Sequence, residues 1–186
     1  MSIFSIFKGS PERQIQKLRN KVKEPHGDAS VREGAMAKLY EMGTEEALRS
    51  LLDRYTISVS PSIQDEKEKQ QLLRWLISLG EAAVGPLVRF LKTERAVYWP
   101  ARALKEILDH EGRVRTFREL LRFHWENPPA SAFPLAQILK AVEDIDGLES
   151  EVARFLEDDD DDVLLAAVQY LMDRSEEEHR DEVILC

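Results

Sequence analysis

The sequence predicts an all-α chain, a right-handed α-solenoid of about five stacked antiparallel helical hairpins. Three observations predict it. Apolar residues recur at helical spacing: in residues 64–92, Leu72, Leu76 and Leu79 fall at i, i+4 and i+7, and after Gly80 the pattern resumes with Val84, Leu87, Val88 and Leu91. Glycines separate such helices at Gly43, Gly80, Gly112 and Gly147, spaced by 37, 32 and 35 residues, so a unit of hairpin size repeats. Each helix also carries a single apolar face, which one hairpin cannot bury alone, so copies must stack. The expected organisation is an N-terminal apolar and basic segment over residues 1–10 and a single domain over 11–186.

The elements follow in order. Ser10 is suited to cap a helix with Pro11 in its first turn, and Ile15, Leu18 and Val22 share one face of residues 11–23. After Pro25-His26-Gly27, Asp28 opens a helix whose buried side is predicted as Val31, Ala35, Leu39 and Met42. Thr44 caps its partner, which carries Ala47, Leu48, Leu51 and Leu52. Tyr55 to Ile63 reads as an extended loop crossing the surface, because its short alternation has no partner strand. The helices around Gly80 form the second pair. A third pair is predicted from about Val97 to Trp125 with its joint at Gly112, and Asn127-Pro128-Pro129 ends it. Residues 132–143 and 148–156 flank Gly147 as the fourth pair. A fifth first-helix is VLLAAVQYLMD, with Glu176 to Leu185 as its second helix.

Composition limits the function. The 43% hydrophobic and 33% charged fractions fit a folded, soluble chain, and no apolar run approaches the ~20 residues needed to span a bilayer. One Cys, Cys186, allows no internal disulfide, so a reducing cytoplasm is the expected compartment. Residues 1–23 carry six Lys or Arg against Glu12 alone, a net of +5. Residues 143–186 carry three Arg against seventeen Asp or Glu, a net of −14. That acidic stretch argues against nucleic-acid binding, which needs a basic face to displace phosphate counterions. The patch Ile3, Phe4, Ile6 and Phe7 has two readings: it folds back over the apolar end of the stack, or it makes a weak peripheral membrane contact aided by nearby cations.

DASVREGAMAKLYEMGTEEALRSLL, LLRWLISLGEAAVGPLVRFL and DDDVLLAAVQYLMD resemble HEAT repeats, and are similar to the bacterial HEAT-like repeats also found in phycobilin lyases. The resemblance covers roughly Asp28 to the end. The first repeat begins Asp28-Ala29-Ser30-Val31-Arg32, as the motif does; the fifth has Asp162-Val163 followed by Leu164 in place of Arg, and the second and third lack this start. What the resemblance implies is a protein–protein scaffold of armadillo-like helical type, with second helices lining a concave surface and no catalytic residue carried over. It also leaves open a lyase- or chaperone-like protein acting on a bound chromophore or modified protein.

The residues point to no enzyme, cofactor or metal. His26, His110, His124 and His179 lack the i, i+4 spacing of a zinc helix, and no phosphate-binding loop is present. Asp158 to Asp162 begins like a calcium loop, yet Val163 stands where the turn needs Gly and Gln169 where a bidentate Glu is needed. Those acids are expected to cap a helix instead. The partner-binding candidates are basic and aromatic. Arg115, Arg118 and Arg122 lie at i, i+3 and i+7 on one stripe, Arg89 extends it from the preceding repeat, and Tyr98, Trp99 and Trp125 stand near helix ends. Arg with Trp and Tyr is the chemistry of interface hot spots, and a basic groove suits an acidic protein segment. Val183, Ile184 and Leu185 predict an apolar terminal face able to self-associate.

Overall fold

The computed structural model describes residues 10–184, with side chains through Arg174. The Ile3, Phe4, Ile6 and Phe7 patch and the Val183–Leu185 side chains therefore lie outside the described residues. The chain is all-α: ten α-helices and no strand among the described residues. It divides into two compact units, one through Leu87 and one from Val88, and the division falls inside a helix.

The first unit opens with α1 (Pro11–Val22), α2 (Ala29–Met42) and α3 (Glu45–Leu52). Ser10 Oγ accepts from the Arg13 N–H, Asp28 from Ser30 and Val31, and Thr44 from Ala47, so the predicted caps satisfy amide donors that no helical carbonyl can reach. Gly43 ends α2 at φ 60°, the left-handed conformation that favours glycine. α1 packs against α2 and α3, burying Ile15, Leu18 and Val22. Each such side chain contributes about 1.5–3 kcal/mol when fully removed from water. A 3-10 turn (Asp53–Thr56) then leads through a short loop to α4 (Ser62–Leu79), which packs on α2.

Two expectations hold only in part in this unit. The buried side of α2 is Arg32, Ala35, Met36 and Leu39, whereas Val31 is 49% exposed. Ala35 and Leu39 are buried as expected, but the buried face extends to Arg32, which meets Glu68 of α4, and to Met36, and not to Val31. The segment from Tyr55 is also no surface loop at its start: Tyr55 and Val59 are buried, and Ile63 already belongs to α4.

Helix α5 (Glu81–Thr93) spans the division. The second unit continues with α6 (Tyr98–Ile107), α7 (His110–Glu126), α8 (Phe133–Ala141), the four-residue α9 (Glu149–Val152) with a 3-10 turn after it, and α10 (Asp161–Ile184). Helix α8 lies between α6 and α10, while α7 packs against α8 and α9. Leu104, Phe117, Leu120, Ile138, Leu139, Val152 and Tyr170 form the centre of its core. The Tyr170 hydroxyl donates to the Ile145 carbonyl at 2.7 Å and accepts the Leu148 N–H at 3.2 Å, fixing the turn before α9. Burial pushes its pKa up to about 12.

Two boundaries here also differ from expectation. Gly112 is not a joint; it sits inside the first turn of α7, and the break is at Leu108-Asp109. Asp109 starts the helix by accepting the Gly112 N–H at 2.8 Å, and a Cβ on Gly112 would come within 2.8 Å of that carboxylate. Nor does a second helix begin near Glu176. No Gly or Pro interrupts residues 161–184, and α10 runs through as one helix of 24 residues.

Candidate functional site

Helix α7 turns Phe117, Leu120, Leu121 and His124 into the core. That orientation sets Arg115, Arg118, Arg122 and Trp125, spaced at i, i+3, i+7 and i+10, along its other side. Opposite them α9 supplies Glu151, a carboxylate left only 2% exposed. Arg122 Nη2 donates to Glu151 Oε1 at 2.9 Å, Arg118 Nε lies 3.5 Å from Oε2, and the Ser150 hydroxyl donates to Oε2 at 2.9 Å. Arg118 is fixed a second time through Nη2 to the Gly147 carbonyl at 2.6 Å. Burial alone would raise the Glu151 pKa, but the Ser150 and Arg122 hydrogen bonds and the two guanidinium charges outweigh it and hold the carboxyl below its usual range. It is therefore an anion at neutral pH.

The two arginines remain open on their outer sides, with 38% and 53% of their side chains exposed. Arg115 is exposed and has no ion pair among the described residues. It shares a shallow depression of about 450 Å³ with His110, Glu111, Val114, Arg118, Asp146 and Gly147. Trp125, at the other end of the row, is 44% exposed and meets the Phe155 ring edge-on at 5.6 Å.

The remaining candidates lie elsewhere. Tyr98 and Trp99 open α6, edge to face at 5.3 Å, with the Arg102 guanidinium over Trp99 at 5.9 Å. Tyr98 lines a different groove, toward α8. Arg89 is exposed on α5 and lines neither depression.

Sequence reasoning missed the most developed polar cluster, which lies in the first unit. Arg32 grips Glu68 through Nε at 2.7 Å and Nη2 at 2.8 Å, and Arg54 Nε donates to the same carboxylate at 2.6 Å. Gln64 adds a bond at 2.8 Å, and Arg54 Nη2 reaches Asp65 at 2.7 Å. Arg32, Arg54 and Glu68 are all at most 2% exposed. Burial would raise the Glu68 pKa, but the hydrogen bonds of Arg32, Gln64 and Arg54 reverse that and lower it, and Arg32 is raised in turn by Glu68. A carboxylate with both oxygens engaged is a poor proton acceptor, so this cluster holds structure rather than performing acid–base chemistry. The partners are 36 and 14 residues apart, and no local pattern links them.

His124 is a buried histidine on the inner side of α7. Its Nε2 lies 3.1 Å from the Leu91 carbonyl, and Nδ1 has no partner among the described residues. Burial lowers its pKa, so the neutral ring donates from Nε2. Among the described residues no group of three or more His, Cys, Asp or Glu could hold a metal ion, and no helix is long and apolar enough to cross a membrane. No family model, no curated protein and no solved structure matches the chain.

Proposed function

We propose that the protein is a non-enzymatic binding module, a right-handed α-solenoid of HEAT-like hairpins that holds an acidic protein segment along the α7 row. One observation carries this reading: a single buried carboxylate, Glu151, fixes Arg118 and Arg122 side by side while leaving their outer N–H groups in solvent. An arginine loses up to about 2 kcal/mol of rotamer freedom when it is immobilised. Here much of that loss is met on folding, so a carboxylate arriving from a partner finds donors already oriented. Arg115 adds a charge beside them and Trp125 an apolar anchor, the pairing found at interface hot spots. Arg118 and Arg122 share one buried carboxylate, so this pair keeps positive charge on its outer side to steer an acidic partner.

The test is Arg115→Glu, which touches no internal ion pair. Capture from the source cell followed by mass spectrometry should recover a partner with the wild-type chain and lose roughly tenfold with the variant, the equivalent of about 1.4 kcal/mol, with Tm unchanged. Equal recovery by both proteins would remove the row as the binding surface. A salt-dependent gel shift with duplex or single-stranded DNA should show no complex.

A further inference from the structure

Helix α10 is apolar on two sides. Val163, Ala166, Ala167 and Tyr170 turn into the core of the second unit. The outer side carries Leu164, Leu165, Val168, Leu171 and Met172, which form two rows, one at i, i+4, i+7 and one at i, i+3, i+7. Leu165 is 61% exposed and Met172 54%, and the other three are partly exposed. Polar residues are confined to a narrow stripe of Asp162, Gln169 and Asp173. A helix that is apolar around most of its circumference belongs in an interior. Here five neighbouring apolar side chains, over about 12 Å of helix, point outward instead, a cluster of the kind that marks an interaction site.

Charge narrows what covers the cluster. Asp159, Asp161 and Asp162 are exposed where the helix begins, and Asp173 is exposed at the far end of the apolar rows. Arg174 is the one cation within residues 161–174. It turns back onto Asp146 and Glu149, and only 13% of its side chain is exposed. The apolar rows therefore run between acidic ends with no open cation on that length of α10. Phosphates of a nucleic acid or of an anionic lipid surface would be repelled there. A second copy is disfavoured for the same reason, since the chain carries a net charge of −9 and residues 143–186 a net of −14. The complement is an apolar stripe flanked by cations. Rows at i, i+3, i+4 and i+7 form the ridges and grooves that receive another helix rather than a strand.

We propose that the outer face of α10 docks a basic amphipathic helix of another protein. Its apolar stripe lies along the rows from Leu164 to Met172, and its Lys or Arg side chains meet Asp161, Asp162 and Asp173. This surface uses no residue of the α7 row, and neither reading depends on the other.

Calorimetric titration of the full chain with two synthetic peptides of about 18 residues, five helical turns, tests it. Both carry leucine at i, i+3, i+4 and i+7 on one face; one has lysine on the flanks and the other glutamate. The lysine peptide should bind at least tenfold tighter than the glutamate peptide, by a margin that shrinks as salt is raised. Leu165→Ser with Met172→Ser leaves the net charge unchanged at two exposed positions. It should weaken the lysine peptide at least tenfold while the circular-dichroism spectrum of the chain stays the same. Ile63→Ser, at a position 81% exposed in the first unit, should not change the affinity. Equal affinity for the two peptides would overturn the proposal, as would no binding of either or binding that survives the double variant. So would a concentration-dependent dimer of the wild-type chain that the double variant abolishes, since the face would then be an interface between copies.

Discussion

Glu68→Gln tests most directly what holds the first unit together. The substitution keeps the shape of the side chain and removes one charge between two guanidiniums that are almost wholly shut from water, at 3% and 0% side-chain exposure. Each arginine has a remainder to fall back on. Arg54 keeps Asp65 at 2.7 Å and the Ile57 carbonyl at 3.2 Å, and Arg32 keeps the carbonyls of Glu24 and Gly27 at 3.1 and 3.2 Å. None of these replaces the carboxylate, and the new amide N–H₂ would point at an arginine N–H. Breaking a buried pair in this way costs about 3–5 kcal/mol, a large part of the ~5–15 kcal/mol by which domains are stable. At about 2–4 °C per kcal/mol for a chain of this size, Tm should fall by roughly 6–20 °C in a circular-dichroism melt. The acid limb gives a second reading. The Glu68 pKa is lowered on folding, so its contribution is fully present above the ordinary value of 4.5 and is lost as pH falls through the folded value. Urea midpoints of the wild type should therefore drop below about pH 4.5 more steeply than those of the variant. A loss under about 1 kcal/mol at neutral pH, with unchanged acid dependence, would refute the claim that this cluster organises the unit.

Two further outcomes concern α7. His124 is neutral and buried with its pKa lowered from 6.5, so unfolding takes up a proton and stability should fall as pH drops below about 6.5. His124→Phe should flatten urea midpoints between pH 7 and 5, at a cost of about 1–3 kcal/mol for the orphaned Leu91 carbonyl. At the helix start, Asp109→Ala should cost about 1 kcal/mol as a lost cap. Gly112→Ala should bring no gain in the wild type, because the added methyl meets the capping carboxylate at 2.8 Å. In the Asp109→Ala background the same change should recover about 1 kcal/mol of helix propensity, a non-additivity that urea titration reads directly.

What the sequence carries locally was legible in it. Ser10, Asp28 and Thr44 each cap the helix they precede, and Gly43 and Gly147 take positive φ where the chain must turn. Gly112 misled because a glycine at a helix start looks like a glycine at a joint, and the decisive residue was the Asp109 cap three positions earlier. The α2 face misled for a different reason. Apolar periodicity favours Val31, yet the helix buries Arg32, whose partner lies 36 residues away on α4. The arginine row of α7 could be read from spacing alone, but Glu151, which decides how two of its members are held, is 29 residues beyond Arg122. Burial of a charge depends on a distant opposite charge, and a single sequence has no period that reports such a pair.

Among the described residues the same arrangement occurs in both units, with opposite accessibility. Glu68 and Glu151 are each buried carboxylates that bridge two arginines. Around Glu68 both guanidiniums are enclosed, and their remaining donors turn to carbonyls and to Asp65. Around Glu151 they come from successive turns of one helix and keep 38% and 53% exposure. Low dielectric strengthens the enclosed pairs and makes them costly to break, whereas water screens the open ones and weakens their share in stability. A purely structural role would be served better by the enclosed form. The open form trades part of that stabilisation for two oriented cations at the surface, in line with a third that has no ion partner among the described residues. Its difference from the Glu68 cluster, more than the presence of arginine as such, is the physical ground for the proposal that a partner binds on α7.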